Sequence, residues 1–157
     1  MGHAPIKEKA MQAILIDPLA KALSWVEIPQ ATYRAVMKDI IKPKGAFEFI
    51  YPPGRTTVII VDDESLLHDD CNTRGYWMPF FNPQPVCGRG LIFGLQGPEG
   101  DLCECRLNID QVRKAIEFVD VEFAGFEESQ GEEEHPIFGK MAVYRREAIF
   151  RPKGPLQ

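Results

Sequence analysis

Leu91-Ile92-Phe93-Gly94-Leu95, the turn Gln96-Gly97-Pro98-Glu99-Gly100, residues 101–107 and then Asn108-Ile109-Asp110-Gln111-Val112 form the stretch that decides the fold. Residues 90–95 and 102–107 read as two strands of a hairpin around a turn rich in Gly and Pro. Asn108 is placed to cap a helix, since its side chain can accept a free backbone N–H, and Gln111 three residues on can reach back to close a capping box. Ile109, Val112, Ile116 and Val119 then supply one apolar stripe, so the helix is expected to run to about Phe118.

Working outward toward the N-terminus, Thr57-Val58-Ile59-Ile60-Val61 is the most β-prone run of the chain. Both of its faces are apolar, which predicts a central strand. Residues 46–51 read as a strand with Phe47, Phe49 and Tyr51 on one face. Before them, Tyr33, Val36, Met37, Ile40 and Ile41 fall on one helical stripe that Pro43 and Gly45 stop. Residues 11–16 and 23–28 flank Asp17-Pro18 as a further hairpin. Residues 62–75 read as a polar loop and 76–81 as a short aromatic strand broken by Asn82-Pro83-Gln84-Pro85. The expected architecture is α+β: a mixed or mainly antiparallel sheet of about six strands with two helices packed on one face. Three segments are expected: an N-terminal extension over 1–10, a core domain over 11–119 and a C-terminal extension over 120–157.

The chain has 157 residues, 45% hydrophobic and 26% charged, the composition of an ordinary globular protein. No apolar run reaches the roughly 18 residues of a membrane span, and Met1 to Ala10 lack the apolar core of a secretory signal, so the expected compartment is the cytoplasm. The formal net charge of −5 argues against a binder of duplex DNA, which needs a basic face for the phosphates. The charge is unevenly placed. Asp120, Glu122, Glu127, Glu128, Glu132, Glu133 and Glu134 stand without a single Lys or Arg up to Gly139. Lys140, Arg145, Arg146, Arg151 and Lys153 then follow, against Glu147 alone. One reading is a solvated acidic loop, with residues 127–135 disordered, beside a basic strand or short helix and pairing with it across space. The other is an acidic contact surface that captures a basic partner or imitates nucleic acid.

Residues 11–118 resemble an uncharacterised domain family of small phage, plasmid and bacterial proteins. The resemblance rests on Ile14-Leu15-Ile16-Asp17-Pro18, Val26-Glu27-Ile28, Val61-Asp62-Asp63-Glu64 with Leu66-Leu67, Phe81-Asn82-Pro83-Gln84-Pro85, and Gly88 to Gly94 leading into the hairpin and helix. It implies an accessory protein of a mobile genetic element and carries over no catalytic residue. Because members of that family often begin where Met11 stands, it also implies that residues 1–10 are an extension, an upstream start or a cloning remnant.

Four cysteines, Cys71, Cys87, Cys103 and Cys105, are read as free thiols in a reducing compartment. His68, Cys71, Cys103 and Cys105 are the candidate zinc ligands, since thiolates and imidazoles must converge to within roughly 2.0–2.3 Å of the ion. Neither cysteine pair has the Cys-x-x-Cys form of a zinc knuckle, and no other cofactor is expected. Asp62-Asp63-Glu64 and Asp69-Asp70 offer oxygen ligands but lack the central Gly of a calcium loop. Gly88-Arg89-Gly90 precedes a strand rather than a helix, so it reads as a turn or bulge and not as a dinucleotide site.

Tyr76, Trp77, Phe80 and Phe81 form a dense aromatic group. Core packing is one reading; a patch that binds a protein or a second copy as a homodimer is the other. Arg74 and Arg89 nearby would suit stacked single-stranded nucleic acid. The function expected from this is non-enzymatic: binding of a host or mobile-element protein, with inhibition of a host defence system as one version. The contacts would be Tyr76, Trp77, Phe80 and Phe81, or Glu127, Glu128, Glu132, Glu133 and Glu134. The alternative is a zinc-dependent or nucleotide-handling enzyme using His68 and the cysteines.

Overall fold

The computed structural model describes residues 9–153, which divide into two compact units, one up to Val119 and one from Asp120. Of the expected N-terminal extension only Lys9 and Ala10 fall among the described residues. In the first unit, β1 (Ala10–Asp17) and β2 (Ala22–Pro29) form a hairpin, followed by α1 (Tyr33–Ile41), β3 (Phe47–Ile50) and β4 (Thr57–Asp62). Two short 3-10 turns precede β5 (Tyr76–Pro79), β6 (Val86–Cys87), β7 (Gly90–Gln96) and β8 (Asp101–Cys103). The unit closes with α2 (Ile109–Ala115) and β9 (Ile116–Val119).

The main sheet has six strands in the order β2-β1-β7-β4-β3, with β8 also paired to β7. Every strand pairing among the described residues is antiparallel. Alternation along the strands sends Ala13, Val58, Ile60, Leu91 and Phe93 to one face, where Met37 and Ile41 of α1 cover them. Ile14, Ile16, Ile59, Val61 and Ile92 point to the other face, where Trp77, Val86 and Val112 of α2 meet them.

Two expectations are therefore corrected. The helices lie on opposite faces of the sheet, not on one. The β-structure also divides into three sheets, because β6-β5-β9 forms a small sheet of its own whose Trp77 and Val86 close the second face. That small sheet uses residues expected in the helix. Ile116-Glu117-Phe118-Val119 alternate, pair with Tyr76 to Pro79, and send Ile116 and Phe118 into the second core, so α2 stops at Ala115. The capping box at its start is as read from the sequence: Asn108 Oδ1 accepts from Gln111 N at 2.8 Å and Gln111 Oε1 from Asn108 N at 2.9 Å.

The expected second hairpin strand, 102–107, is cut to three residues by a change of partner. β1 pairs with β7 only over Ile14 to Ile16, and β8 takes the same edge from Gly94 onward. The chain then turns beside β1, where Cys105 N donates to Gln12 O at 2.8 Å. Gly94 sits at this crossing. A Cβ there would lie 2.3 Å from Glu104 O and 2.9 Å from Cys103 Sγ, so no side chain fits.

The second unit is a single hairpin of β10 (Val121–His135) and β11 (Gly139–Pro152). The acidic run is thus a strand and not a loop. Its partner is the basic run, which settles the choice left between strand and helix.

Candidate functional site

Residues at three places carry the polar and exposed groups from which a site could be built. The first is at the C-terminal end of β4, in the stretch expected to be a solvated loop. Asp63 and Asp69 are exposed as expected, but Asp62 is 4% exposed and organises its surroundings. Its carboxylate accepts from Glu64 N at 3.0 Å, from Lys44 N at 3.4 Å and from His68 Nε2 at 2.7 Å, with Arg74 Nη1 at 3.6 Å. Arg74 also bonds Asp70 through Nε at 3.1 Å, and its Nη2 lies 3.0 Å from His68 Nδ1. A guanidinium has only donors, so Nδ1 must accept and the ring proton on Nε2 is donated to Asp62. Both imidazole nitrogens are engaged within the cluster. The cluster ties the segment after α1 to the loop after β4 and acts as a clamp.

The thiols are disposed around the same region in part only. Cys71 and Cys87 are buried, and Cys87 Sγ donates to Cys71 O at 3.1 Å. Burial, with the neighbouring Cys71 second, pushes the Cys87 thiol up to about 12. Burial also raises the Tyr76 phenol, whose hydroxyl donates to Asn72 Oδ1 at 2.8 Å. Cys103 is half-buried beside Gly94, and Cys105 faces the second core, where burial raises its thiol. The structure pairs Cys71 with Cys87 rather than with Cys103 and Cys105. Among the described residues, no three His, Cys, Asp or Glu side chains converge as a metal-binding group.

The aromatic group is split by the strand that carries it. Tyr76 and Trp77 are 2% and 0% exposed, and Trp77 Nε1 donates to Gly88 O at 3.0 Å, so neither is presented to a partner in this fold. Phe81 packs against the second core, and Phe80 alone stays open at 73%. Arg74 is held in the Asp62 clamp and Arg89 by Asp17 at 3.6 Å and Ile40 O at 3.5 Å, rather than arrayed beside the aromatics. Sequence reading missed a shallow groove on the α1 face, floored by Val58 and Leu95 and walled by Tyr33, Phe47 and Phe49. The alternating aromatics of β3 were its only visible signal.

The third place is the β10–β11 hairpin, which carries Glu127, Glu128, Glu132, Glu133 and Glu134, all exposed. At about 3.3 Å per residue, its 15-residue strand spans on the order of 50 Å. The base is held by aromatics. Phe123 and Phe126 are three apart and would fall on opposite sides of a regular strand. A bulge between Phe123 and Gly125 brings them to one side, with ring centroids 4.9 Å apart and Phe150 5.9 Å from Phe123. Arg146 lies over the Phe126 ring at 3.9 Å.

Opposite charges face each other across the strands at three places, Glu122 with Arg151 beside the base, Glu128 with Arg146 and Glu134 with Lys140, and Glu133 bridges to Arg145, while Glu127 faces Glu147. At the tip, His135 Nδ1 accepts from Ile137 N at 3.1 Å and Phe138 N at 3.3 Å, and Ile137 and Phe138 are 80% and 72% exposed. Among the described residues no third strand pairs with either edge of this ribbon.

Comparison of the chain with protein-family models, with curated proteins and with solved structures returned no match. No helix among the described residues is long and apolar enough to cross a membrane.

Proposed function

We propose that this is a non-enzymatic binding protein and that the β10–β11 hairpin is its contact element. The observation that carries the reading is the hairpin itself. It is a two-stranded ribbon with both edges unpaired among the described residues and two large apolar side chains, Ile137 and Phe138, open at its tip. A two-stranded hairpin is marginally stable by itself, and unpaired edges are natural templates for another chain. Partner recognition would combine main-chain pairing along an edge with the apolar tip as anchor. The Asp62 cluster supports the same reading, because His68 and Arg74 are spent on each other and on carboxylates. The resemblance over residues 11–118 supplies the setting, a host or mobile-element protein as partner.

The test is to shorten the hairpin where Phe126 faces Ala148, joining them through Asn-Gly, the two-residue turn that suits a hairpin. Intact and shortened chains, each tagged, are used to capture proteins from nuclease-treated bacterial lysate. The expected result is a stoichiometric protein retained by the intact chain and lost with the shortened one. Equal capture by both, with far-UV circular dichroism showing the rest folded, would remove the hairpin from the reading.

A further inference from the structure

We infer that the edges of the hairpin pair with the hairpins of further copies of this chain, side by side and with their tips at the same end. This rests on the reading of the hairpin as the contact element and names one of its partners. The argument is charge complementarity along two edges that no third strand pairs among the described residues. β10 contributes Glu122, Glu127, Glu128, Glu132, Glu133 and Glu134 and not one cation, whereas β11 contributes Lys140, Arg145, Arg146 and Arg151 against Glu147.

A second hairpin can approach in two ways. In a twofold arrangement, β10 meets β10 or β11 meets β11, so a mainly acidic edge meets an acidic one or a mainly basic edge a basic one, which disfavours the pairing. In a side-by-side arrangement, the β10 edge of one copy meets the β11 edge of the next. These strands are antiparallel when the hairpins point the same way, so the pairing within one hairpin can repeat between copies. Glu128 then faces Arg146, Glu134 faces Lys140 and Glu122 faces Arg151 of the neighbour, and the one like pair is Glu127 with Glu147.

Each added hairpin pairs an edge that no strand among the described residues takes up and turns a marginal two-stranded ribbon into a wider sheet. Because every copy keeps one acidic and one basic edge, the contact is head-to-tail: it closes into a ring or extends, and it does not stop at two. The tips, each with Ile137 and Phe138, line up along one side and present a repeated apolar contact to any further partner.

Sedimentation velocity of the purified full-length chain tests this with no other protein present. The expected result is a weight-average mass at least twofold above the 17.8 kDa protomer that rises with concentration and falls in high salt, with the shortened chain at its own, smaller protomer mass. A single 17.8 kDa species for the intact chain, a mass that plateaus at two copies, or an unchanged assembly of the shortened chain would each overturn it.

A second measurement does not depend on the shortened chain folding. Glu128→Cys and Arg146→Cys variants are treated with a thiol cross-linker separately and mixed. Cross-linking at these positions only in the mixture is expected; cross-linking of either variant with itself, or none in the mixture, overturns the arrangement. An intact chain that is monomeric when pure yet captures a lysate protein through the hairpin would sink this inference and leave the proposed function standing.

Discussion

Gly94→Ala probes the crossing that holds the main sheet together. The new Cβ would start 2.3 Å from Glu104 O and 2.9 Å from Cys103 Sγ. Ordinary carbon contacts lie at about 3.5 Å, so the two backbones must part by about 1 Å. One of those atoms belongs to a backbone carbonyl, which cannot rotate away as a long side chain would. Separation strains the pairing of Gly94 with Cys103 and the bond from Cys105 N to Gln12 O. Overpacking costs about 1–3 kcal/mol. Each of one or two weakened backbone bonds adds about 1 kcal/mol. The total is on the order of 3–5 kcal/mol, a large share of the roughly 5–15 kcal/mol that holds a domain folded. Urea unfolding followed by tryptophan fluorescence measures it, since Trp77 is fully buried in the adjoining core. Gly131→Ala is the control, because nothing lies within 4 Å of a Cβ built there. If Gly94→Ala shifted stability by no more than that control, the crossing would not be the constraint argued for it.

Three further outcomes are expected. Asp62→Ala should cost about 3–5 kcal/mol, because it leaves the part-buried Arg74 without its inner carboxylate; a loss under about 1 kcal/mol in the same unfolding assay would mean that the cluster is solvated. Trp77→Ala should cost about 3–5 kcal/mol by cavity formation, whereas Phe80→Ala, at an exposed position, should stay within about 0.5 kcal/mol, both read by urea unfolding followed by far-UV circular dichroism; equal effects would contradict the split of the aromatic group. With its folded pKa raised from 9.0 to about 12, Cys87 contributes stability that is fully present below pH 9 and lost as pH rises toward 12. Unfolding free energy should fall by up to about 1.4 kcal/mol per pH unit across that window from this group, and Cys87→Ala should flatten the profile. At pH 8 the native Cys87 thiol should also lag far behind Cys103 in labelling, with about one molecule in ten thousand ionised.

Much of the first unit was legible because its signals are local or periodic. The Asn108–Gln111 capping box needs only four residues, and the two apolar faces of residues 57–61 announce a strand covered on both sides. The stripe of Tyr33, Val36, Met37, Ile40 and Ile41 likewise matches the face that α1 packs inward. Which face of the sheet each helix covers was not legible, because it depends on a small sheet built from residues 76–79, 86–87 and 116–119, far apart in the chain. Ile116 shows the ambiguity well. It continues the helical stripe of Ile109 and Val112, yet it also begins an alternating run, and the partner strand at Tyr76 to Pro79 decides between the two. Asp62 was hidden for a similar reason: in sequence it is one of five acids in a loop, and only the fold brings Lys44, His68 and Arg74 around it.

The acidic run shows a different limit. A search for strands by apolar alternation looks for a face that will be buried, and residues 127–135 have no such face, since both sides of the ribbon are open to water. What marks them as a strand is the sequence of opposite sign that follows. Counting back from the turn at residues 136–138, Glu134 meets Lys140 and Glu128 meets Arg146, so the charges mirror each other about the turn. The possibility that the two runs pair across space was readable from their signs, but the geometry of that pairing was not. A charge pattern that is symmetric about a Pro- and Gly-flanked turn is therefore the signal that apolar periodicity cannot supply. The same pattern gives each strand one predominant sign, with Glu147 the exception on β11, and it is this that leaves one edge of the ribbon mainly acidic and the other mainly basic.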